Sequence, residues 1–217
     1  MGGCASSNKA SPLEVRDDGP AAVQARSVWR IDPHRGHGIE VDFAQQRGRD
    51  TSSLGPGERL QFGAALINGP ETLRNEATVR SLHVAYNYLI PASGPFEAEF
   101  FAGAGRMDLK LRVQGSAPAA QISRTLGGGA LVAGIGPRWK LSEQFALEGR
   151  LSVMSGLHAD TTYEKDSIDV ALAYRPVRQM SLRAGYTWIK AVVEHDTRDS
   201  DVTARLRGPY FGLTLNF

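Results

Sequence analysis

From about residue 26 onward the chain alternates apolar and polar residues with a period of two, segment after segment. In 180–188, Met180, Leu182, Ala184, Tyr186 and Trp188 share one parity, and Ser181, Arg183, Gly185 and Thr187 the other. Ile168, Val170, Leu172 and Tyr174 alternate with Asp169, Ala171, Ala173 and Arg175. Phe145, Leu147, Gly149, Leu151 and Val153 alternate with Ala146, Glu148, Arg150 and Ser152. Successive side chains of a strand point to opposite faces, so each segment has one apolar and one polar face. Helical spacing is sustained nowhere over a helix length, and the chain reads as all-β.

Connections separate two kinds of β architecture. Residues 91–95, 141–144 and 175–179 form short turns, while 68–78, 114–124, 156–167 and 194–203 form longer polar linkers. Short and long connections alternate from about residue 58. A soluble sandwich has no reason to sort its loops in this way, whereas a barrel crossing a membrane has short turns on one side and longer loops on the other. The stretches 96–113 and 121–141 also exceed the ~5–6 residues of an average globular strand.

Strands are expected at about 58–67, 77–90, 95–113, 121–140, 145–155, 163–175, 180–192 and 203–217, giving eight. Upstream, 39–44 alternates as well and pairs with 26–31 through 32–38, giving ten. The expectation is an antiparallel up-and-down transmembrane β-barrel of 8–10 strands, ten preferred because it uses all the patterned sequence. An even count places both chain ends on one side. Within 96–113 the apolar residues change parity, from Phe96, Ala98 and Phe100 to Met107, Leu109 and Leu111. A bulge at 103–106 would account for that.

Composition narrows the alternatives. Charged residues make up 22% of the chain and the formal net charge is +2, so there is no concentrated basic face for nucleic acid. No run of ~20 apolar residues exists, which excludes a membrane-crossing helix. The single Cys4 permits no internal disulfide. Gly2-Gly3-Cys4-Ala5-Ser6 resembles the end of a bacterial lipoprotein signal and would make Cys4 a lipidated residue. Gly2 with Ser6 also fits N-myristoylation, and a plain unstructured terminus with an exposed thiol is the third reading. Residues 1–25 are taken as a flexible N-terminal segment and 26–217 as the barrel, with 58–217 as its clearest part.

The segment 210–217 ends on an aromatic in strand phase: Tyr210 in a polar position, Gly212, then Leu215 and Phe217 as an apolar pair. It resembles the C-terminal signal of bacterial outer-membrane barrels. The wider pattern is similar to small barrels of the OmpA/OmpX type. The resemblance implies an outer-membrane location, contact with outer-membrane lipid and recognition by the barrel-assembly machinery. It also implies Phe211, Leu213, Leu215 and Phe217 toward lipid, with Trp139, Tyr174, Phe145, Tyr186 and Trp188 near strand ends as interfacial aromatics.

Candidate chemistry is sparse. Asp42, Glu97, Glu99, Glu148, Arg150, Asp169 and Arg183 share the inward parity and are expected to neutralise one another, with Glu148, Arg150, Asp169 and Arg183 as the central pairs. A narrow ion path through the same groups is the functional alternative. His158 with Asp160, Ser155 or Glu164, and His195 with Asp196, are the arrangements that acyl-transfer chemistry would need. Histidines and acids in loops are more often solvated polar residues. His34 and His37 lack further ligands at metal spacing, and 127–136 lacks the spacing of a phosphate loop. No cofactor or metal is implied. The expected role is structural or surface-interacting at the outer membrane, with a narrow pore or a lipid-modifying enzyme as alternatives.

Overall fold

The structure, a computed structural model, describes residues 12–17, 19, 22–32, 36–62, 64–90, 94–116, 121–158, 161–195 and 201–217. Twelve strands account for almost all of them: β1 (Leu13–Asp17), β2 (Ala22–Asp32), β3 (His37–Leu54), β4 (Arg59–Phe62), β5 (Ala65–Asn68), β6 (Glu71–Ile90), β7 (Phe96–Gln114), β8 (Gln121–Lys140), β9 (Phe145–His158), β10 (Thr161–Val177), β11 (Met180–His195) and β12 (Val202–Asn216). The sheet runs β2-β3-β6-β7-β8-β9-β10-β11-β12 by antiparallel neighbours, and β12 then pairs with β2. The result is a closed ring of nine strands. The all-β, mainly antiparallel expectation holds.

Closure is made by a parallel seam. The first half of β12 (202–206) pairs parallel with β1, and its second half (210–216) pairs parallel with β2. Phe217 N–H donates to Val28 C=O and Arg30 N–H donates to Phe217 C=O, both at 2.9 Å, extending the seam to the last residue. Trp29 and Phe217 stack across it with ring centroids 5.8 Å apart. Because first and last strands run the same way, the two ends of the described chain lie at opposite rims, not at one as an even ring requires. One rim carries the short turns at 141–144 and 178–179 (the turn rim). The other carries the β4–β5 hairpin and the strand ends Gln114, Gln121, His158 and Thr161 (the loop rim).

Ten expected strands become nine because 58–67 does not enter the ring. It folds on itself as the β4–β5 hairpin, a separate two-stranded sheet in which Leu60 faces Ile67. Both side chains are buried against Leu54 and Leu73, so the hairpin covers the interior at the loop rim. The expected polar linkers are mostly strand. β6 begins at Glu71 and pairs with β3 without interruption to Leu54. β9 and β10 pair from His158↔Thr161 onward.

The expected bulge at 103–106 is absent. β7 pairs with β6 and with β8 in unbroken register from Ala98 to Gln114. What changes along the strand is the polarity of its faces. Outward, Phe96, Ala98, Phe100, Ala102 and Ala104 give way to Arg106, Asp108, Lys110 and Arg112; inward, Glu97 and Glu99 give way to Phe101, Met107, Leu109, Leu111 and Val113. The same exchange recurs around the ring. On β10, outward Ile168, Val170, Leu172 and Tyr174 follow Glu164 and Asp166, with Lys165, Ser167 and Asp169 inward.

The ring therefore has two storeys. At the loop rim the inside is an apolar core built from Leu13, Val15, Leu73, Leu109, Leu111, Val193, Val202 and Leu206 among others, and the outside is charged. At the turn rim the inside is charged and the outside is apolar. The outer apolar band is about nine residues deep on most strands, for instance 82–90, 96–104, 145–153 and 180–188. Every exposed large hydrophobic side chain among the described residues except Leu66 lies in this band or at the turn rim below it.

Inward Leu109 is fully buried. Leu109→Ala is expected to lose about 2–5 kcal/mol in equilibrium unfolding, and outward Lys110→Ala less than ~0.5 kcal/mol. A bulge that reversed the parity would reverse that order.

Candidate functional site: the charged interior

The lower storey brings together side chains from all nine ring strands. Glu40 of β3 lies at its centre, with no measurable exposure. Arg150 Nη2 donates to Glu40 Oε1 at 2.5 Å, His83 Nε2 lies 3.2 Å from the same oxygen, and Asn87 Nδ2 donates to Oε2 at 3.0 Å. Glu99 of β7 receives Arg26 Nη1 at 2.7 Å and Arg150 Nη1 at 3.1 Å. Arg26 also reaches to 3.9 Å from Glu40, and Arg30 to 3.6 Å from Glu99. Two carboxylates and two guanidiniums thus interlock across the ring, joining β2, β3, β7 and β9.

Aromatic rings brace this cluster. The Arg150 guanidinium sits 3.6 Å over the centroid of Phe101, whose other neighbour His83 is stacked at 6.0 Å. A cation over an aromatic face gains ~0.5–2 kcal/mol, most where water is excluded. Space for Phe101 comes from Gly134, where any Cβ would lie 2.2 Å from the ring. That explains part of the small-residue run 127–136.

Toward the turn rim, Arg138 Nη2 bridges to Glu148 at 2.6 Å and Nη1 to Glu97 at 3.6 Å, with Lys140 on Glu97 at 2.5 Å. Toward the apolar core the cluster thins into single bonds, most of them between one ionisable and one neutral group. Lys165 donates to Ser81 at 2.8 Å, Gln24 donates to Asp42 at 3.0 Å, Thr187 donates to Asp169 at 2.5 Å, and the Ser152 and Ser167 hydroxyls are 2.6 Å apart. Two spaces of about 30 and 20 Å³ remain among these groups. A water needs roughly 10–15 Å³ on this measure, so each has room for one or two waters and for no larger solute.

All four expected central residues, Glu148, Arg150, Asp169 and Arg183, do face the interior, but they do not pair with one another. Asp169 and Arg150 are direct cross-strand neighbours, yet Arg150 reaches across the ring to Glu40 and Glu99. Glu148 is taken by Arg138, and Asp169 by the Thr187 hydroxyl. Arg183 is 4% exposed, and its Nε and Nη2 have no hydrogen-bond partner. Gly212 makes room for it, since a Cβ there would lie 3.3 Å from both nitrogens. Neighbour pairing was the expectation because adjacent strands are closest along the wall. In a narrow ring, long side chains meet across the lumen instead.

Several members escaped the sequence reading. Arg26, Glu40, His83, Arg138 and Lys165 all carry inward parity in recognised or extended strands. Glu40 and Asp42 alternate with Ile39, Val41 and Phe43, which was the available signal. Lys165 lay where the expected strand 163–175 and the expected linker 156–167 overlap.

The terminal segment has the expected phase. Tyr210 and Thr214 are buried inside, while Phe211 and Phe217 are exposed outside. Leu213 and Leu215 also face outward on β12, half-buried, and Gly212 and Asn216 face inward. Among the other candidates, Ser155 and Glu164 face each other across β9 and β10 on the outer wall. Asp160, Asp196, His34 and Cys4 lie outside the described residues, as do the side chains of His158 and His195. His37 contacts Tyr86 on the outer face.

Chemically, the centre of the interior is a network of mutually paired carboxylates and guanidiniums. Removing one member of a buried charge network leaves its partners unpaired in a low-dielectric place. Glu40→Ala is therefore expected to cost about 3–5 kcal/mol in equilibrium unfolding. Glu14→Ala removes an exposed ion pair to Arg16 and should cost less than ~1 kcal/mol.

Comparison with protein-family models, with curated proteins and with solved structures finds no match.

Proposed function

We propose that this chain is a bacterial outer-membrane β-barrel whose interior is closed, and that it serves a structural or surface-interaction role and not transport. The observation that carries the reading is the apolar outer band. Soluble monomers rarely expose a contiguous apolar patch above a few hundred Å², and burying a Val, Leu, Ile or Phe side chain is worth ~1.5–3 kcal/mol. Around a whole ring, a band left in water forfeits on the order of tens of kcal/mol. Its depth of about nine residues per strand suits the ~9–11 tilted residues that cross a bilayer.

Edge chemistry supports the same placement. The turn rim carries pairs of outward aromatics, Trp29 with Phe217, Phe96 opposite Trp139, and Phe145 on Tyr174 with centroids 5.1 Å apart. Amphipathic rings favour the boundary between hydrocarbon and headgroups. The upper storey, apolar inside and charged outside, then stands clear of the lipid by roughly 20 Å of tilted strand. It carries the β4–β5 hairpin and the loop-rim connections, a raised platform suited to contacts in solution.

The closed interior argues against the pore alternative. A lumen crossed by the Glu40–Arg150–Glu99–Arg26 lock and then sealed by an apolar core offers ions no continuous polar path.

Membrane fractions run on SDS gels without boiling should show a faster-migrating band that shifts on heating, and planar-bilayer recordings should show no steady conductance. Val170→Arg, in the middle of the band, should destabilise the inserted protein by about 2–4 kcal/mol, and Glu164→Arg, above it, by far less. Recovery in the soluble fraction with no gel shift would overturn the reading, and a stable conductance would overturn the closed interior.

A further inference from the structure

Five buried side-chain atoms without a hydrogen-bond partner lie together on the inner wall beside the closure seam. They are Nε and Nη2 of Arg183, Nε of Arg26, Oγ of Ser181 and Oγ1 of Thr214. The strand register gathers them. Ser181 on β11 opposes Thr214 on β12, and Thr214 opposes Arg26 on β2. One inward position further along, Arg183 opposes Gly212, and Gly212 opposes Gln24. Two successive inward rows on three adjacent strands thus carry all five atoms. The four side chains are buried, Arg26 being the most exposed at 6%.

All five atoms are hydrogen-bond donors. A buried donor without an acceptor is costly, and five in neighbouring positions call for an acceptor among them. There is room for a small one. Gly212 leaves the wall without a side chain opposite Arg183, where a Cβ would lie 3.3 Å from both Nε and Nη2. Arg26 and Arg183 also line the interior space of about 20 Å³.

The acids nearby are engaged by other groups. On the same space Glu99 receives Arg26 and Arg150, and Glu148 receives Arg138. Asp42 and Asp169 line the other space together with Lys165, and accept from Gln24 and Thr187. Among the described residues Arg183 makes no ion pair.

We propose that this cradle holds one small monovalent anion of halide size, chloride in ordinary media, accepting from the Arg183 and Arg26 guanidiniums and the Ser181 and Thr214 hydroxyls. A halide takes about the room of the one or two waters that fit, whereas phosphate or sulfate is too large. A water must also place its own hydrogens on acceptors, which guanidiniums do not supply. A halide only accepts, and hydrogen bonds between ionised partners are the stronger kind. Bound there, it joins β11, β12 and β2 across the parallel seam and couples halide binding to closure of the ring. The inference stands on the interior alone and not on what the outer band meets.

The test uses the full chain folded in detergent micelles at fixed ionic strength, with chloride exchanged for gluconate. Only the folded ring presents the cradle, so the folding equilibrium constant should rise about tenfold for each tenfold rise in chloride above half-saturation. Bromide should replace chloride, and sulfate should not. Arg183→Gln should abolish the dependence. Thr214→Val keeps every charge and nearly the same shape, and should raise the half-saturating chloride concentration about fivefold, as for one lost hydrogen bond. The chlorine NMR line of free chloride should broaden in the presence of the protein and sharpen again on adding bromide.

A folding constant that ignores chloride, that responds equally to sulfate, or that keeps its chloride dependence in Arg183→Gln would overturn the site and leave waters as the occupants. Should Arg183→Gln fail to fold, an unchanged half-saturation in Thr214→Val would overturn it in the same way.

Discussion

A closed sheet offers each side chain only two destinations, inside or outside, and strict alternation sends neighbours to opposite ones. In this ring the alternation is held without a slip through most of each strand, so the polarity of inside and outside can be set independently at every level. The chain uses that freedom once, exchanging the two walls about halfway along the strands. Below the exchange, Glu99 faces in and Phe100 faces out; above it, Leu109 faces in and Lys110 faces out. Nearly everything else in the structure follows from where that exchange falls.

The two storeys are stabilised differently. The upper one has an ordinary hydrophobic core, covered by the β4–β5 hairpin through Leu60 and Ile67. The lower one turns its apolar side chains outward and its charges inward. There, desolvation is offset only by dense mutual pairing, as in the Glu40, Glu99, Arg26 and Arg150 lock. The parallel seam adds a further consequence. β12 must be long enough to hold β1 in the upper storey and β2 in the lower one, so a single strand ties both levels of the closure together.

Much of this was legible in the sequence, and the failures are informative. Period-two alternation located most of the ring strands, and 210–217 came out in its correct phase. The Met107, Leu109 and Leu111 run misled because a change in which parity is apolar looks the same whether the strand slips by one residue or its surroundings swap. Only the continuous pairing of β7 with both neighbours distinguishes them. The linkers at 68–78 and 156–167 were misread for a related reason: outward charges in the upper storey made strand look like loop. Residues 58–67 alternate only as far as Phe62 and end in the apolar run Ala64-Ala65-Leu66-Ile67, and the segment folds back on itself instead of entering the ring. In the site, parity placed Glu148, Arg150, Asp169 and Arg183 inside, but partners chosen across a lumen depend on ring diameter, which no single strand encodes.

The central claim is that the outer wall of the lower storey meets lipid while that of the upper storey meets water. The most direct measurement is a nitroxide scan of one outward face of β10 in reconstituted vesicles, with Cys4 replaced by Ser and single labels at positions 162, 164, 166, 168, 170, 172 and 174. Collision rates with oxygen and with a water-soluble nickel chelate are compared at each site. The account predicts high oxygen and low nickel accessibility at 168, 170, 172 and 174, and the reverse at 162 and 164, with the crossover at 166. Nickel accessibility that stays high across all seven positions would contradict it.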